Sequence, residues 1–343
     1  MSPVEYSVYI STSLDPYLNL SIENWIYHSL TPQQKVLFLY RNRKSVVIGR
    51  FQNPWLECNV ESLLHENVSI VRRQSGGGTV YHDPGNTNYS FIAPADLYDI
   101  DENYGILLKA LRKLGVTAQR TDRNDLYLSG KKFSGSAFKK TAEKVIHHGT
   151  LLHHGDTKEM HRYLSGTAHF SDVKGIRSVR SPVVNLSAAF PGITHELLFE
   201  ALCSEYQRAA KFAGVFSGIT YLGEEEMFGN REIADSCREY KSWDWMFGKT
   251  PPFAQNLLWE KGEFRLSAYL HTRHCRIENV RFEQNPVVGN SIDLRDLFTL
   301  LQGIPYRRKD IAEQLNLFQT GQQIDRAFFD SFREWFLSCI YPS

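Results

Sequence analysis

Three consecutive glycines, Gly76 to Gly78, stand between two stretches that read as strands, Val68 to Val71 and Thr79 to Tyr81. Glycines there cost backbone entropy and offer no side chain to pack. They do offer bare amide N–H groups that a ligand approaches closely. Arg72 and Arg73 come just before them, so the natural guest is an anion, with a phosphate foremost. On composition alone, a plain turn is the alternative. The G-x-x-x-x-G-K-[ST] pattern of a Walker loop is absent. No helical pattern starts directly after the glycines, which excludes a dinucleotide fingerprint. The stretch predicts a strand–loop–strand that binds phosphate or carboxylate, and it names no reaction.

A chain of 343 residues exceeds one typical domain, so two are expected. A formal net charge of +1 gives no general electrostatic footprint for nucleic acid or membrane, and neither partner is expected. No apolar run approaches the length of a membrane span. Met1 to Tyr9 has neither a signal-peptide core nor an Arg-rich presequence. A cytoplasmic location is expected, or the mitochondrial matrix if the source is eukaryotic. Cys58, Cys203, Cys237, Cys275 and Cys339 are scattered without a C-x-x-C pair. That argues against a disulfide framework or structural zinc and fits a reducing compartment.

Along the chain, Glu5 to Ser11 reads as a strand. Pro16 opens a helical pattern with Leu18, Ile22, Trp25 and Ile26 on one face. Val36 to Tyr40 and Ser45 to Ile48 read as strands joined by a polar turn. In the loop Gly49 to Trp55, Arg50, Gln52 and Trp55 line a pocket, or else Trp55 folds back onto the core. Glu57 to Glu66 is a short helix, Asn88 to Ile92 a strand and Asn103 to Leu114 an amphipathic helix. Asn124 to Leu128 and Lys131 to Phe138 form a hairpin about Ser129-Gly130. Strict alternation sets Lys132, Ser134 and Ser136 on one face and Phe133 on the other. A lysine among small hydroxyl residues faces room that something else must fill; the plain alternative is a surface lysine.

Val145 to Leu152 is another strand, so neighbours His147 and His148 point to opposite faces, and no zinc motif is present. Lys174 to Pro182 is a basic, irregular stretch that closes over an anion or is simply solvated. His195 to Phe212 is a long helix stopped at Gly214. The aromatic run Ser242 to Phe253 marks a boundary, giving domains 1–248 and 254–343. Phe264 to Leu270 and His274 to Phe282 form a hairpin, and Leu294 to Leu301 and Ile311 to Leu317 short helices. This tail carries no catalytic pattern of its own.

Five motifs now stand in order: Val46 to Asn59, Arg72 to Asp83, Asn124 to Leu126, Lys132 to Ala137 and His147 to Leu152. Together they resemble the lipoate–protein ligase A and lipoyltransferase family, over nearly the whole chain. Ile176 to Ser181 and Trp243 to Phe253 extend the match. The resemblance implies an α+β fold: a mixed-sheet catalytic domain like that of biotin and lipoyl ligases, with a small α+β C-terminal domain. It implies ATP-dependent activation of lipoate to lipoyl-AMP, with Mg2+. The lipoyl group then passes to a lysine of apo lipoyl domains, in E2 subunits of 2-oxoacid dehydrogenases or in the glycine-cleavage H protein.

The resemblance also implies roles. Arg73, Gly78, Thr79, Val80 and Tyr81 match nucleotide and adenylate contacts. Lys132 matches the catalytic lysine touching both lipoate oxygen and phosphate. Ser75 and Gly77 fall beside the acyl substrate, and Lys174 to Arg180 matches the segment closing over the adenylate. No protein metal ligand is implied. Gln74 departs from the smaller residue expected there. Carboxyl adenylation and aminolysis need positioning and charge stabilisation, not a covalent enzyme nucleophile. Three other readings stay open: a transferase that takes only preformed lipoyl-AMP, an acyl-transfer enzyme using Cys58 as nucleophile, and a non-catalytic lipoyl-adenylate-binding protein.

Overall fold

The computed structural model describes residues 3–284, 295–321 and 326–343. Its contacts group the chain into two compact units. The first is Met1–Arg50, Val68–Leu164 and Ser178–Ser242; the second is Phe51–Asn67, Ser165–Arg177 and Trp243–Ser343.

The first unit is built on a mixed six-stranded sheet. Its spatial order is Ser136–Lys140, Lys144–Leu152, Asn86–Pro94, Gln34–Arg41, Val4–Ser11, Gly214–Leu222. Val4–Ser11 runs parallel to both of its neighbours, and the other pairs are antiparallel. The apolar run in Gln34–Arg41 is continuous because both faces are covered. Leu37 and Leu39 point to a core shared with Leu107, Leu198 and Leu202, whereas Val36 and Phe38 point to one shared with Leu18, Ile22 and Ile26.

The covering helices start where the sequence supplies an acceptor for free amides. Asp15 caps Pro16–Ser29, Asp99 caps Ile100–Lys113, and Thr194 caps His195–Ala213, which ends at Gly214.

Two small sheets complete this unit. In one, Ser45–Ile48 lies between Ser69–Arg72, its parallel partner, and Val80–His82, its antiparallel partner. The polar turn after Gln34–Arg41 therefore moves the chain from one sheet to another instead of closing a hairpin. The triple-glycine turn likewise joins two outer strands across the end of the middle one. In the other sheet, Leu126–Leu128 pairs with Lys131–Ser134 about the expected turn, with Ser129 and Gly130 at φ 49 and 76. Those left-handed values suit a tight hairpin. The returning strand stops at Ser134, and after Gly135 the chain enters the large sheet as Ser136–Lys140.

The second unit has a four-stranded antiparallel sheet of Asp172–Val173, Phe253–Lys261, Phe264–Arg273 and Arg276–Gln284. Helices Arg295–Leu301, Arg308–Gly321 and Arg326–Cys339 belong to it. Trp259, Phe328, Phe332 and Phe336 are buried in its aromatic core. The helix expected over Glu57 to Glu66 is Val60–His65, and a separate short helix, Pro54–Glu57, precedes it. Trp55 is buried; it stacks on Phe247 and donates its Nε1–H to the Pro342 carbonyl at 2.7 Å. Of the two alternatives for Trp55, the structure has the fold-back. Leu294 lies outside the described residues. Among the described residues, no helix is long and apolar enough to cross a membrane.

Candidate active site

The glycine turn is shaped from inside by Arg73. Its buried guanidinium donates to Ser75 Oγ at 2.9 Å, the Val47 carbonyl at 3.1 Å, the Gly76 carbonyl at 2.6 Å and the Gly78 carbonyl at 2.7 Å. Burial pushes its pKa down to about 10, which leaves it charged at neutral pH. Arg72 is equally buried and donates to the Gly49 and Arg50 carbonyls at 3.2 and 2.9 Å.

Gly77 adopts φ +85, and a Cβ there would sit 3.1 Å from Arg73 Nη2 and 3.4 Å from Ala137 Cβ. The turn therefore lies against the strand Ser136–Lys140. A Cβ on Gly78 would sit 3.1 Å from Ser178 Oγ, and the Thr79 amide donates to that same oxygen at 2.8 Å. Val80 opens the strand that follows. Tyr81 is buried, with its hydroxyl donating to Glu159 Oε2 at 2.9 Å. Gln74, the departure noted above, accepts from the Lys139 ammonium.

Lys132 lies on the edge of the hairpin. Here strict alternation fails. Ser134 pairs with Leu126 and Lys132 with Tyr127, so Phe133 is the extra residue of a bulge. Lys132 and Ser134 thus oppose adjacent residues, which face opposite ways, and the shared face expected for Lys132, Ser134 and Ser136 is not formed. Ser134 is buried, while the Lys132 side chain keeps 26% exposure. Its Nζ pairs with Asp125 Oδ1 at 2.7 Å.

One segment reaches both motifs. Ser178 touches Gly78 and Thr79, and four residues on, the Pro182 carbonyl accepts from the Lys132 amide at 2.9 Å. The Val184 amide donates to the Lys132 carbonyl at 2.9 Å, so Lys132 and Val183 form a parallel bridge. The basic stretch read as a closing loop splits between the units: Lys174 to Arg177 in the second, Ser178 onward in the first. Within the second unit, Arg177 Nε lies 3.3 Å from Glu57 Oε1. Cys58, weighed as a nucleophile, is fully buried with its thiol donating to the Pro54 carbonyl at 3.1 Å. A thiol closed off from solvent and tied to a carbonyl is not placed for attack.

Two groupings lay beyond the sequence reading. Ser75 Oγ is 2.7 Å from His148 Nε2, His148 Nδ1 is 2.8 Å from Glu23 Oε1, and Ser90 donates to the same carboxylate oxygen. Burial works to raise the Glu23 pKa, but His148 and Ser90 hold it below the ordinary value. On the opposite face, Tyr89, Tyr104 and His147 all meet Ser136 Oγ, at 3.0, 2.9 and 3.3 Å. Burial drives the His147 pKa down to about 3, so its ring is neutral. Opposite faces for His147 and His148 were legible from strand periodicity; their partners, distant in sequence, were not. Asp125 had a local signal: it follows Asn124, whose φ of 63 marks a turn that a short polar side chain tolerates. Among the described residues, no three His, Cys, Asp or Glu side chains cluster as a metal-ligand set.

Comparison with known proteins identifies the family. Residues 15–207 match the lipoyl protein ligase A/B catalytic domain. Lipoate-protein ligase A of Psychrobacter cryohalolentis is 36% identical over 330 residues, 95% of this chain and 96% of the relative. Lipoate-protein ligase A of Bdellovibrio bacteriovorus is 34% identical over 315 residues, 90% and 91% of the two chains. Among solved structures, P. falciparum LipL1 in complex with lipoate superposes with a TM-score of 0.64 at 26% identity, over 97% of this chain and 99% of that one. A lipoate-protein ligase A bound with ATP has a TM-score of 0.54 at 20% identity, covering 71% of this chain and 98% of its own, and so speaks for the fold. A catalytic-domain match over more than half of the chain and relatives matched nearly end to end lead to one assignment: this chain belongs to the lipoyl protein ligase A/B family.

Proposed function

We propose that this chain activates lipoate with ATP and transfers the lipoyl group to a lysine of an apo lipoyl domain. The observation that carries the proposal is the single segment Ser178–Val184, which touches the glycine turn at Gly78 and Thr79 and hydrogen-bonds the backbone of Lys132. A turn suited to phosphate and a partly exposed ammonium are thereby held in one frame, as expected where an acyl group meets a phosphate.

In the first step, a lipoate carboxylate oxygen bonds to the α-phosphorus of ATP and pyrophosphate leaves. In the second, the neutral ε-amine of the acceptor lysine bonds to the acyl carbon. The acyl–oxygen bond breaks, AMP leaves with the electron pair, and the amine proton passes to solvent. Lys132 stabilises negative charge at the acyl–phosphate junction in both steps. One charge-assisted hydrogen bond of this kind contributes about 1.5–3 kcal/mol. Glycine amides at 77 and 78 offer donors to phosphate oxygens, while the Thr79 amide is held by Ser178 Oγ and, with Val80, fixes the end of the turn. Arg73 acts through the turn, since its donors go to turn carbonyls and Ser75. Tyr81, in the middle of Val80–His82, anchors that strand through its hydroxyl on Glu159.

The phosphates of the nucleotide would hold Mg2+, which would shield the charge of the leaving pyrophosphate when bound. The proposed acceptors are E2 lipoyl domains and the glycine-cleavage H protein. Of the relatives, an archaeal bi-partite lipoate protein ligase from Thermoplasma acidophilum was solved in work that included its E2 lipoyl domain. None of the five cysteines is in a disulfide, and the proposed location is a reducing compartment, the cytoplasm, or the mitochondrial matrix if the source is eukaryotic.

The test supplies the protein with lipoate, ATP and Mg2+ and an apo lipoyl domain, and weighs the acceptor. A gain of one lipoyl group is the expected result. No gain until lipoyl-AMP is supplied would make the protein a transferase. Tight binding of lipoyl-AMP without turnover would make it a binding protein.

A further inference from the structure

We infer that Asp125 is a positioning residue for Lys132, an inference that rests on the role given to Lys132 above. Three features that are separate in sequence meet at this pair.

The first is a pinned turn. Asn124 holds a left-handed φ of 63, its Oδ1 accepts from Arg120 Nη2 at 2.8 Å, and its carbonyl accepts from the Tyr104 hydroxyl at 2.6 Å. Arg120 in turn lies 4.0 Å above the Tyr104 ring. The Thr121 amide donates to the Asp125 carbonyl at 3.0 Å, and the Asp125 amide donates to Thr121 Oγ1 at 3.2 Å. The Asp125 backbone is therefore fixed from both sides.

The second is the bulge at Phe133, which re-aims the strand at Lys132. The third is Gly135. A Cβ there would come within 3.0 Å of Lys132 Cε and Nζ and 3.7 Å of Asp125 Oδ1. The ion pair lies directly over this glycine, which explains why the strand breaks with a residue lacking a side chain.

A lysine stem loses much rotamer freedom when it is ordered. Asp125 removes that freedom beforehand, at 2.7 Å from Nζ, with side-chain exposures of 26% for Lys132 and 14% for Asp125. The ammonium has three donors, and a monodentate contact to Oδ1 leaves others for acyl and phosphate oxygens. A preset ammonium serves both half-reactions and leaves nucleotide affinity to the glycine turn.

The experiment uses the full chain and two independent readouts. In the first, pyrophosphate release from lipoate and ATP, and transfer from preformed lipoyl-AMP, are measured for wild type and Asp125→Asn. Both kcat values should fall by about tenfold or more, while KM for ATP stays within about twofold. Asp125→Glu, which keeps the charge but displaces it, should also lose kcat and serves if Asp125→Asn does not fold.

The second readout needs no turnover: trace labelling of amines by acetic anhydride, followed by mass spectrometry. Asp125→Asn should raise labelling of Lys132 by about threefold or more relative to Lys109 and Lys211, as expected when the amine is released from a carboxylate that holds and covers it. Unchanged Lys132 labelling would overturn the inference. A rise in KM for ATP with kcat retained would also overturn it, because Asp125 would then contact nucleotide. If wild type performs neither half-reaction, the ligase reading fails, and the labelling result still decides whether Asp125 positions Lys132.

Discussion

Gly77 is fixed by two separate constraints: a left-handed φ of +85 and the approach of Arg73 Nη2 to 3.1 Å of where a Cβ would stand. Gly77→Ala should cost about 1–3 kcal/mol and weaken lipoyl-adenylate binding, read by thermal unfolding and by calorimetric titration. Gly76, with open space around its Cβ position, is the control and should tolerate alanine far better. Arg73 is a forked donor satisfying three carbonyls and a hydroxyl. Arg73→Lys keeps the charge and cannot reach all four, so buried acceptors are left without partners. A loss of about 1–3 kcal/mol in denaturant unfolding is expected. These two residues also show what the sequence hides. The Arg–Gly pattern announced a special turn, but not that the arginine would serve the turn's own carbonyls.

Elements show a similar division between what local pattern specifies and what depends on distant contacts. The hairpin about Ser129-Gly130 was legible because turn chemistry is local. The bulge at Phe133 was not, because strict alternation carries no mark of an extra residue within the pairing of Lys131–Ser134 with Leu126–Leu128; the sheet change after Gly135 was not, because Ser136 answers to Gly149, outside the hairpin. The strand Phe253–Lys261 and the helix Arg326–Cys339 went unread: the first starts at the last residue of an aromatic run taken as a boundary, the second lies at a phenylalanine-rich end whose buried stripe is clear only once its sheet is known. Lys174 to Pro182 was read as a basic, irregular stretch, yet Ser178–Val184 meets the two motifs through backbone hydrogen bonds and one hydroxyl, which charge patterns do not reveal. Ser178→Ala removes the acceptor for the Thr79 amide at 2.8 Å. Amide exchange at Thr79 should then quicken by about fivefold or more, with exchange at Val184 little changed. Equal exchange in both proteins would mean that Ser178 does not hold the turn.

Across the molecule, buried neutral histidines tie stability to pH. Burial, aided by Arg73 and His148, takes His82 down to about 3, and burial, aided by His148, takes His147 to about 3. An unfolded histidine titrates near about 6.5, so between that value and the folded one the unfolded chain binds more protons. Stability is therefore full above the unfolded value and falls as pH drops through this window. Each ring should contribute a loss of about 1–2 kcal/mol by about pH 5. Urea unfolding between about pH 7.5 and pH 5 checks this, and His147→Gln should flatten the slope. A flat wild-type profile would mean these rings accept protons without unfolding.

The transfer half-reaction of Lys132→Ala, with preformed lipoyl-AMP and an apo lipoyl domain, bears on whether this ammonium serves the acyl–phosphate junction. The expected result is a fall in kcat of about a hundredfold, with acceptor KM and thermal stability near wild type. A variant that transfers the lipoyl group at the wild-type rate would contradict it.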